Sequence, residues 1–322
     1  MDKAIDILKS HARLMERGRI SSARIEVLRR EIARIDILND DKISIFCAGS
    51  IARGEYGGNS DLDILLTFNG TIDVAEKLES DVKSALHKIN NDLGYPPLSD
   101  SGRFLKLHPI GDLVSKTGSP LDDSENRFTV RLLLLLEGIY LSSNNLFESH
   151  KNEILKNYFR DQKAVNNYIP YFLINDILRY WRTLCLNYED FRCERSRPWR
   201  KKSINLKFSR MLTVFATVLP IISTPIQKIE ECFELTNYKP LERMALGIDA
   251  LGSEALIKSW KAILDHYEFF LNWKESKEID RENLSLEDRK IISGYSTGFS
   301  NFLYDTLTND KIDPILRKAL IL

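Results

Sequence analysis

The sequence predicts an α+β chain in three parts: helices over residues 1–38, a small mixed-sheet unit over 39–150 and an all-helical domain over 151–322. Three observations carry this reading. Two short runs rich in β-branched and aromatic residues, 42–48 and 61–68, flank a glycine-rich turn. An amphipathic pattern follows over 72–92, where Val74, Leu78, Val82, Leu86 and Ile89 recur at helical spacing. From about residue 150 onward helical patterns run almost without interruption and strand signals are sparse.

At the N-terminus, Leu8, Met15, Ile25, Leu28, Ile32 and Ile35 recur at roughly helical spacing among many charges. Gly18 and the pair Ser21-Ser22 predict a break, with serine capping the second of two helices. Lys42 to Ala48 then reads as a strand that Gly49-Ser50 ends, and a helical turn begins at Ile51. Gly54, Gly57, Gly58 and Asn59 form a loop. Asp61 to Phe68 is the second strand, closed by Asn69-Gly70. Residues 94–112 carry Pro96, Pro97, Gly102, Pro109 and Gly111 and are expected to be irregular, with a strand around Phe104–Leu107. After a turn-rich stretch at 117–126, residues 128–141 are strongly apolar and predict a helix. The helices expected thereafter are 151–163, 170–188, 203–222, 224–235, 240–248, 253–273, 285–307 and 311–321.

Composition excludes several classes. With 43% hydrophobic and 29% charged residues the 322-residue chain has the make-up of a globular protein. The formal net charge is zero, so any attraction to nucleic acid must come from a local patch. Cys47, Cys185, Cys193 and Cys232 include no CxxC pair, and no histidine stands near them as a zinc ligand would. Scattered thiols and a charged N-terminal stretch without an apolar core suggest a cytoplasmic chain. The apolar stretches Leu132–Leu136 and Met211–Ile222 read as core and not as membrane spans. The histidines do not cluster, and neither a Ser/His/Asp nor a Cys/His pairing is suggested.

The chemistry concentrates between residues 47 and 66. On a strand, side chains at i and i+2 share a face, so Asp61 and Asp63 sit side by side. Two carboxylates in that relation offer the hard oxygen ligands that Mg²⁺ or Mn²⁺ takes, while Leu62, Ile64 and Leu66 face the core. Gly49 at a strand-to-helix turn lets the backbone approach a phosphate, and backbone N–H groups at the following turn receive the anion. The Ser50 hydroxyl adds a donor. Arg53, one turn on, adds positive charge or pairs with Glu55.

The composite CAGSIARGEYGGNSDLDILL, residues 47–66, resembles the signature of the DNA polymerase β-like nucleotidyltransferase superfamily. That resemblance implies a small mixed-sheet nucleotidyltransferase domain followed by the helical domain. It implies an enzyme that binds ATP or another NTP and transfers its NMP with release of pyrophosphate. The metal ligands would be Asp61 and Asp63, the cofactor Mg²⁺ or Mn²⁺, and the phosphate-binding residues Gly49 and Ser50. The superfamily carries a third carboxylate on a later strand. Asp100 is the first choice for it, with Asp112 and Glu137 as alternatives. The segment Arg131 to Leu141, followed by Asn144, Asn145 and Leu146, resembles the PII uridylyltransferase group and its bacterial relatives. The later segments Asn175 to Arg182 and Lys207 to Arg210 resemble the helical substrate-binding domain of those relatives.

The helical part has two further features. Residues 192–210 hold Arg192, Arg195, Arg197, Arg200, Lys201, Lys202, Lys207 and Arg210 with Phe191, Trp199 and Phe208 interleaved. This segment grips a triphosphate or an RNA acceptor by phosphate contact and stacking, or is a solvated surface. Asn175, Asp176, Arg179 and Arg182 share one helix. Arg179 and Arg182 either hold the nucleotide or acceptor or form surface ion pairs. The acceptor is left open between RNA, protein, a small molecule and a second nucleotide, with RNA or protein favoured. A nucleotide-binding regulatory module without turnover is the alternative function.

Overall fold

The computed structural model describes residues 3–98, 105–115, 117–164, 168–193, 199–224, 226–276 and 285–321. The backbone divides into two compact units, Glu16–Asp161 and a second made of Met1–Met15 with Gln162–Leu322.

The chain opens with α1 (Ala4–Ser10) and α2 (Ala12–Ile32). The expected break at Gly18 and Ser21-Ser22 does not occur; the helices part at His11 instead. The two serines are satisfied inside α2, since Ser21 Oγ donates to Arg17 O at 2.8 Å and Ser22 Oγ to Gly18 O at 3.0 Å. Back-bonding of this kind lets serine sit mid-helix without capping. Only the part of α2 beyond Met15 belongs to the middle unit.

The middle unit is built on a sheet of β1 (Ile43–Ala48), β2 (Asp63–Phe68), β3 (Leu107–Pro109) and β4 (Ile139–Tyr140), in the order β3-β2-β1-β4. β1 is antiparallel to both β2 and β4, and β2 is parallel to β3. After β1 comes the single turn α3 (Gly49–Ala52). The parallel pair is joined through α4 (Ile72–Asp92), because parallel strands need a long crossover. The helix spans the residues that periodicity predicted.

On one face of the sheet, Ile25, Leu28 and Ile32 of α2 and Ala75, Val82, Leu86 and Ile89 of α4 close a core with Ile43, Ile45, Cys47, Ile64, Leu66 and Phe68. After β3 come α5 (Ile110–Ser115), α6 (Pro120–Ser124), α7 (Arg127–Glu137) and α8 (Asn144–Tyr158). On the other face Phe147 of α8 lies 5.8 Å from the Phe46 ring, and Thr67 Oγ1 meets His150 Nδ1 of α8 at 2.8 Å. β1 and β2 are therefore covered on both faces, which is why both read as near-continuous apolar runs. Leu65 and Thr67 are buried, so β2 is not the half-open strand that the alternation implied; only its first residue is part-exposed.

The expected helix over 128–141 ends at Glu137, and Ile139–Tyr140 turns into the edge strand β4. Gly138 leaves the helix with φ −66° and ψ 133°, and a Cβ there would press to 2.6 Å from Leu134 O. The first helix expected after residue 150 starts earlier, as α8. It packs on β1, so the compact unit runs to Asp161 rather than to the composition shift near 150.

A fully buried pair ties α6 to α7. Arg131 donates to Asp122 through two nitrogens, at 2.7 and 2.9 Å, and through Nε to Tyr158 Oη at 2.7 Å. His150 is buried too, and burial holds its pKa down at about 4 against an ordinary 6.5. Because the folded pKa lies below the unfolded one, the unfolded chain binds the extra proton between the two values. The stability so linked is present above pH 6.5 and is lost as pH falls through 6.5 toward 4. Between pH 7 and pH 5 the wild type should lose about 2 kcal/mol more than a His150→Gln variant, read as the pH slope of urea midpoints. Equal slopes would refute this.

The other unit is all-helical in its described residues. It comprises α1 with α9 (Tyr171–Cys193), α10 (Trp199–Asn205), α11 (Met211–Ser223), α12 (Ile229–Leu235), α13 (Pro240–Leu251), α14 (Glu254–Glu275), α15 (Leu286–Leu307) and α16 (Pro314–Lys318). The last is shorter than the 311–321 expected, and α12 begins five residues later than 224. Asp249 of α13 accepts from the N–H groups of Ala4 and Ile5 at 2.6 and 3.2 Å, and Trp260 Nε1 donates to Ala4 O at 3.1 Å. These bonds hold α1 to this unit. A π-helical stretch, Leu206–Arg210, joins α10 to α11 and turns Phe208 into the core, stacked on Phe270 at 4.7 Å. The continuous helix Lys202–Ser223 is long and apolar enough to cross a membrane by length and composition, yet 67% of its apolar 18-residue window is buried within the protein.

Candidate functional site

The antiparallel ladder between β1 and β2 ends where Ala48 pairs with Asp63. It ends there because Gly49 adopts φ +71°, a left-handed conformation that turns the chain into α3. β2 accordingly starts at Asp63, two residues later than the sequence suggested, and Asp61 lies just outside the ladder. The alternation nonetheless persists. Asp61 is exposed, Leu62 is buried in the core, and Asp63 is part-exposed.

The glycine turn and the carboxylate are in direct contact. A Cβ built on Gly49 would overlap Oδ2 of Asp63, so only glycine fits this position. The turn is then fixed by backbone bonds. Arg53 N–H donates to Gly49 O at 3.0 Å, and Glu55 N–H to Ser50 O at 2.8 Å. Ser60 Oγ accepts from Gly57 N–H at 3.0 Å, and Ser21 Oγ of α2 accepts from Tyr56 N–H at 3.1 Å. The loop between the two strands is thus tied at both of its ends.

Glu137 is the residue whose role was missed. At the C-terminal end of α7 it is 4% exposed. Its Oε1 accepts from Gly49 N–H at 2.9 Å and its Oε2 from Arg53 Nη1 at 2.7 Å. Arg53 Nε also donates to Glu55 Oε2 at 2.9 Å. Arg53, expected to bring charge to a phosphate or to pair with Glu55, is therefore buried between two carboxylates and braces the turn from behind. The Gly49 N–H points to Glu137, and Ser50, the next residue of the turn, is buried at 5% exposure. The signal for Glu137 was its place as the one acid ending a wholly apolar helical run.

The remaining sequence candidates separate. Asp100 lies outside the described residues. Asp112 of α5 pairs with Arg127 at 2.8 Å. Among the described residues no third histidine, cysteine or acid joins Asp61 and Asp63 at metal-ligand spacing; the one such group is His11, Asp265 and Glu268 in the helical unit. Arg179 and Arg182 lie on α9 of that same unit, where Arg179 Nε meets Asp176 Oδ1 at 3.1 Å and Arg182 is exposed. In the basic stretch Arg192, Lys202 and Lys207 are exposed, residues 194–198 lie outside the described residues, and Phe208 is core and no stacking platform. The Cys47 thiol, buried one residue before Ala48, is pushed up to about 12 by burial, which makes it inert as a nucleophile.

The four-stranded mixed sheet thus carries a glycine turn and two carboxylates at the mouth of its second strand. Residues 25–99 match the nucleotidyltransferase domain family. The match contains Gly49, Ser50, Asp61 and Asp63 and stops short of Glu137. No curated protein and no solved structure matches the chain.

Proposed function

We propose that the chain transfers an NMP group from an NTP to an acceptor at the Gly49–Asp63 end of the sheet, with Mg²⁺ or Mn²⁺ as cofactor. The observation that carries this is the contact between Gly49 and the Asp63 carboxylate, which supports a cation on that carboxylate next to a phosphate at the turn. Asp61 and Asp63 fit a hard cation: both are carboxylates, and both retain exposure at the open end of β2. When bound, the cation neutralises the triphosphate and the pyrophosphate that departs. Ser50 orients a phosphate oxygen by its hydroxyl, and Glu137 with Arg53 keeps the turn from moving. We assign the acceptor to the helical unit, whose exposed Arg182, Arg192, Lys202 and Lys207 suit a polyanion such as RNA.

One observation favours a second reading, a nucleotide-binding module without turnover: among the described residues no third histidine, cysteine or acid lies at metal-ligand spacing from Asp61 and Asp63. The test uses each NTP labelled at its α-phosphate, with RNA or protein fractions as acceptor, in Mg²⁺ and in EDTA. Label on the acceptor and free pyrophosphate in Mg²⁺, abolished by EDTA, are expected. Calorimetric binding of NTP with neither product would sink the transferase reading in favour of the second.

A further inference from the structure

We propose that His11, Asp265 and Glu268 form a zinc site in the helical unit, distinct from the Asp61–Asp63 carboxylates. His11 stands at the junction of α1 and α2, and the two acids are on α14. His11 Nε2 lies 3.2 Å from Asp265 Oδ1 and 3.6 Å from Glu268 Oε2. The nearer contact is of hydrogen-bond length and the farther, at 3.6 Å, is beyond it, so the ring N–H does not reach both oxygens equally well. A cation can, since ligand bonds of about 2.0 Å in a tetrahedron set neighbouring ligand atoms about 3.3 Å apart. All three donor atoms lie within 4.8 Å of one another.

The surroundings prepare these atoms. Glu268 is 9% exposed, and its other oxygen, Oε1, accepts from Arg13 Nη1 at 2.6 Å and Asn272 Nδ2 at 3.2 Å. Those bonds orient Oε2 toward the imidazole, as outer hydrogen bonds orient carboxylate ligands elsewhere. His11 Nδ1 is enclosed, so Nε2 is the ligand atom, with the ring proton on Nδ1. Imidazole with two carboxylates selects zinc over Mg²⁺ or Ca²⁺, which prefer all-oxygen sets. Asp265, 61% exposed, leaves room for a water as the fourth ligand. The ion would close a loop of 254 residues and fasten the α1–α2 junction to α14.

The test loads the full chain with zinc and measures metal retained per chain after gel filtration, and affinity by competition with a chromophoric chelator. One zinc per chain is expected for the wild type and equally for an Asp61→Asn/Asp63→Asn variant. His11→Ala should bind at least about 100-fold more weakly, because losing a ligand exceeds the 10–100-fold typical of losing an outer partner. Asp265→Asn, at an exposed position, should weaken binding in the same direction without loss of helical circular dichroism. It decides the question if His11→Ala fails to fold. No retained zinc, or zinc held equally by these variants, overturns the proposal.

Discussion

Asparagine in place of Asp63 is expected to lower nucleotidyl transfer by about 10³-fold, on the order of 4 kcal/mol of transition-state stabilisation. The substitution preserves size and leaves the left-handed Gly49 undisturbed, but replaces a charged oxygen by an amide at the last rung of the β1–β2 ladder. An amide offers the cation one neutral oxygen where a carboxylate offers two charged ones. The fold should tolerate it, since Asp63 is part-exposed at a strand end. The measurement is kcat/KM for label transfer in wild type and variant at matched Mg²⁺, beside their thermal midpoints. A rate within a factor of a few of wild type, with the midpoint unchanged, would remove Asp63 from the reaction.

Glu137→Ala should cost about 3 kcal/mol of stability, read as a shift in urea midpoint at constant slope. Two buried groups lose their partner. Gly49 N–H is left without its 2.9 Å acceptor, and Arg53 loses the Glu137 carboxylate while keeping Glu55. The surviving Arg53–Glu55 pair places the cost at the lower end of the range for breaking a buried ion pair. Glu137→Gln should lose less, because its amide oxygen can still accept from Gly49. A midpoint shift under 1 kcal/mol for the alanine variant would show that the turn is held by its own backbone bonds and that Glu137 is incidental.

What the sequence made legible was local. The glycine turn between two apolar runs, the alternation of Asp61, Leu62 and Asp63, and the 72–92 helix each follow from side-chain period and residue type, and each is present. What stayed hidden depended on distant partners. The bond from Gly49 to Glu137 spans 88 residues, and no periodicity records it. β4, of two residues, is too short for alternation to register, and β3, at Leu107–Pro109, begins at the last residue of the strand expected around Phe104–Leu107. Their positions are fixed by pairing with Leu66–Phe68 and with Phe46–Cys47. The serines at 21 and 22 read as a cap because their usual competition with the helix backbone is local. Here Ser21 back-bonds within α2 and also accepts from Tyr56. Of the two readings of Arg53, the pair with Glu55 is present, and the second carboxylate, Glu137, is the distant partner that local spacing does not record.

The division of the chain has a consequence for synthesis. Residues Glu16–Asp161 are contiguous and include every strand among the described residues, whereas the other unit is assembled from Met1–Met15 and Gln162–Leu322. Domains complete as they leave the ribosome. The sheet unit can therefore finish while α1, already emerged, still waits for Asp249 and Trp260, the residues that will receive it. During that interval Ala4 and Leu8, buried in the finished protein, remain uncovered. A nascent-chain chaperone or a stalled intermediate would meet the protein at this point, with the sheet unit complete and the helical unit still open.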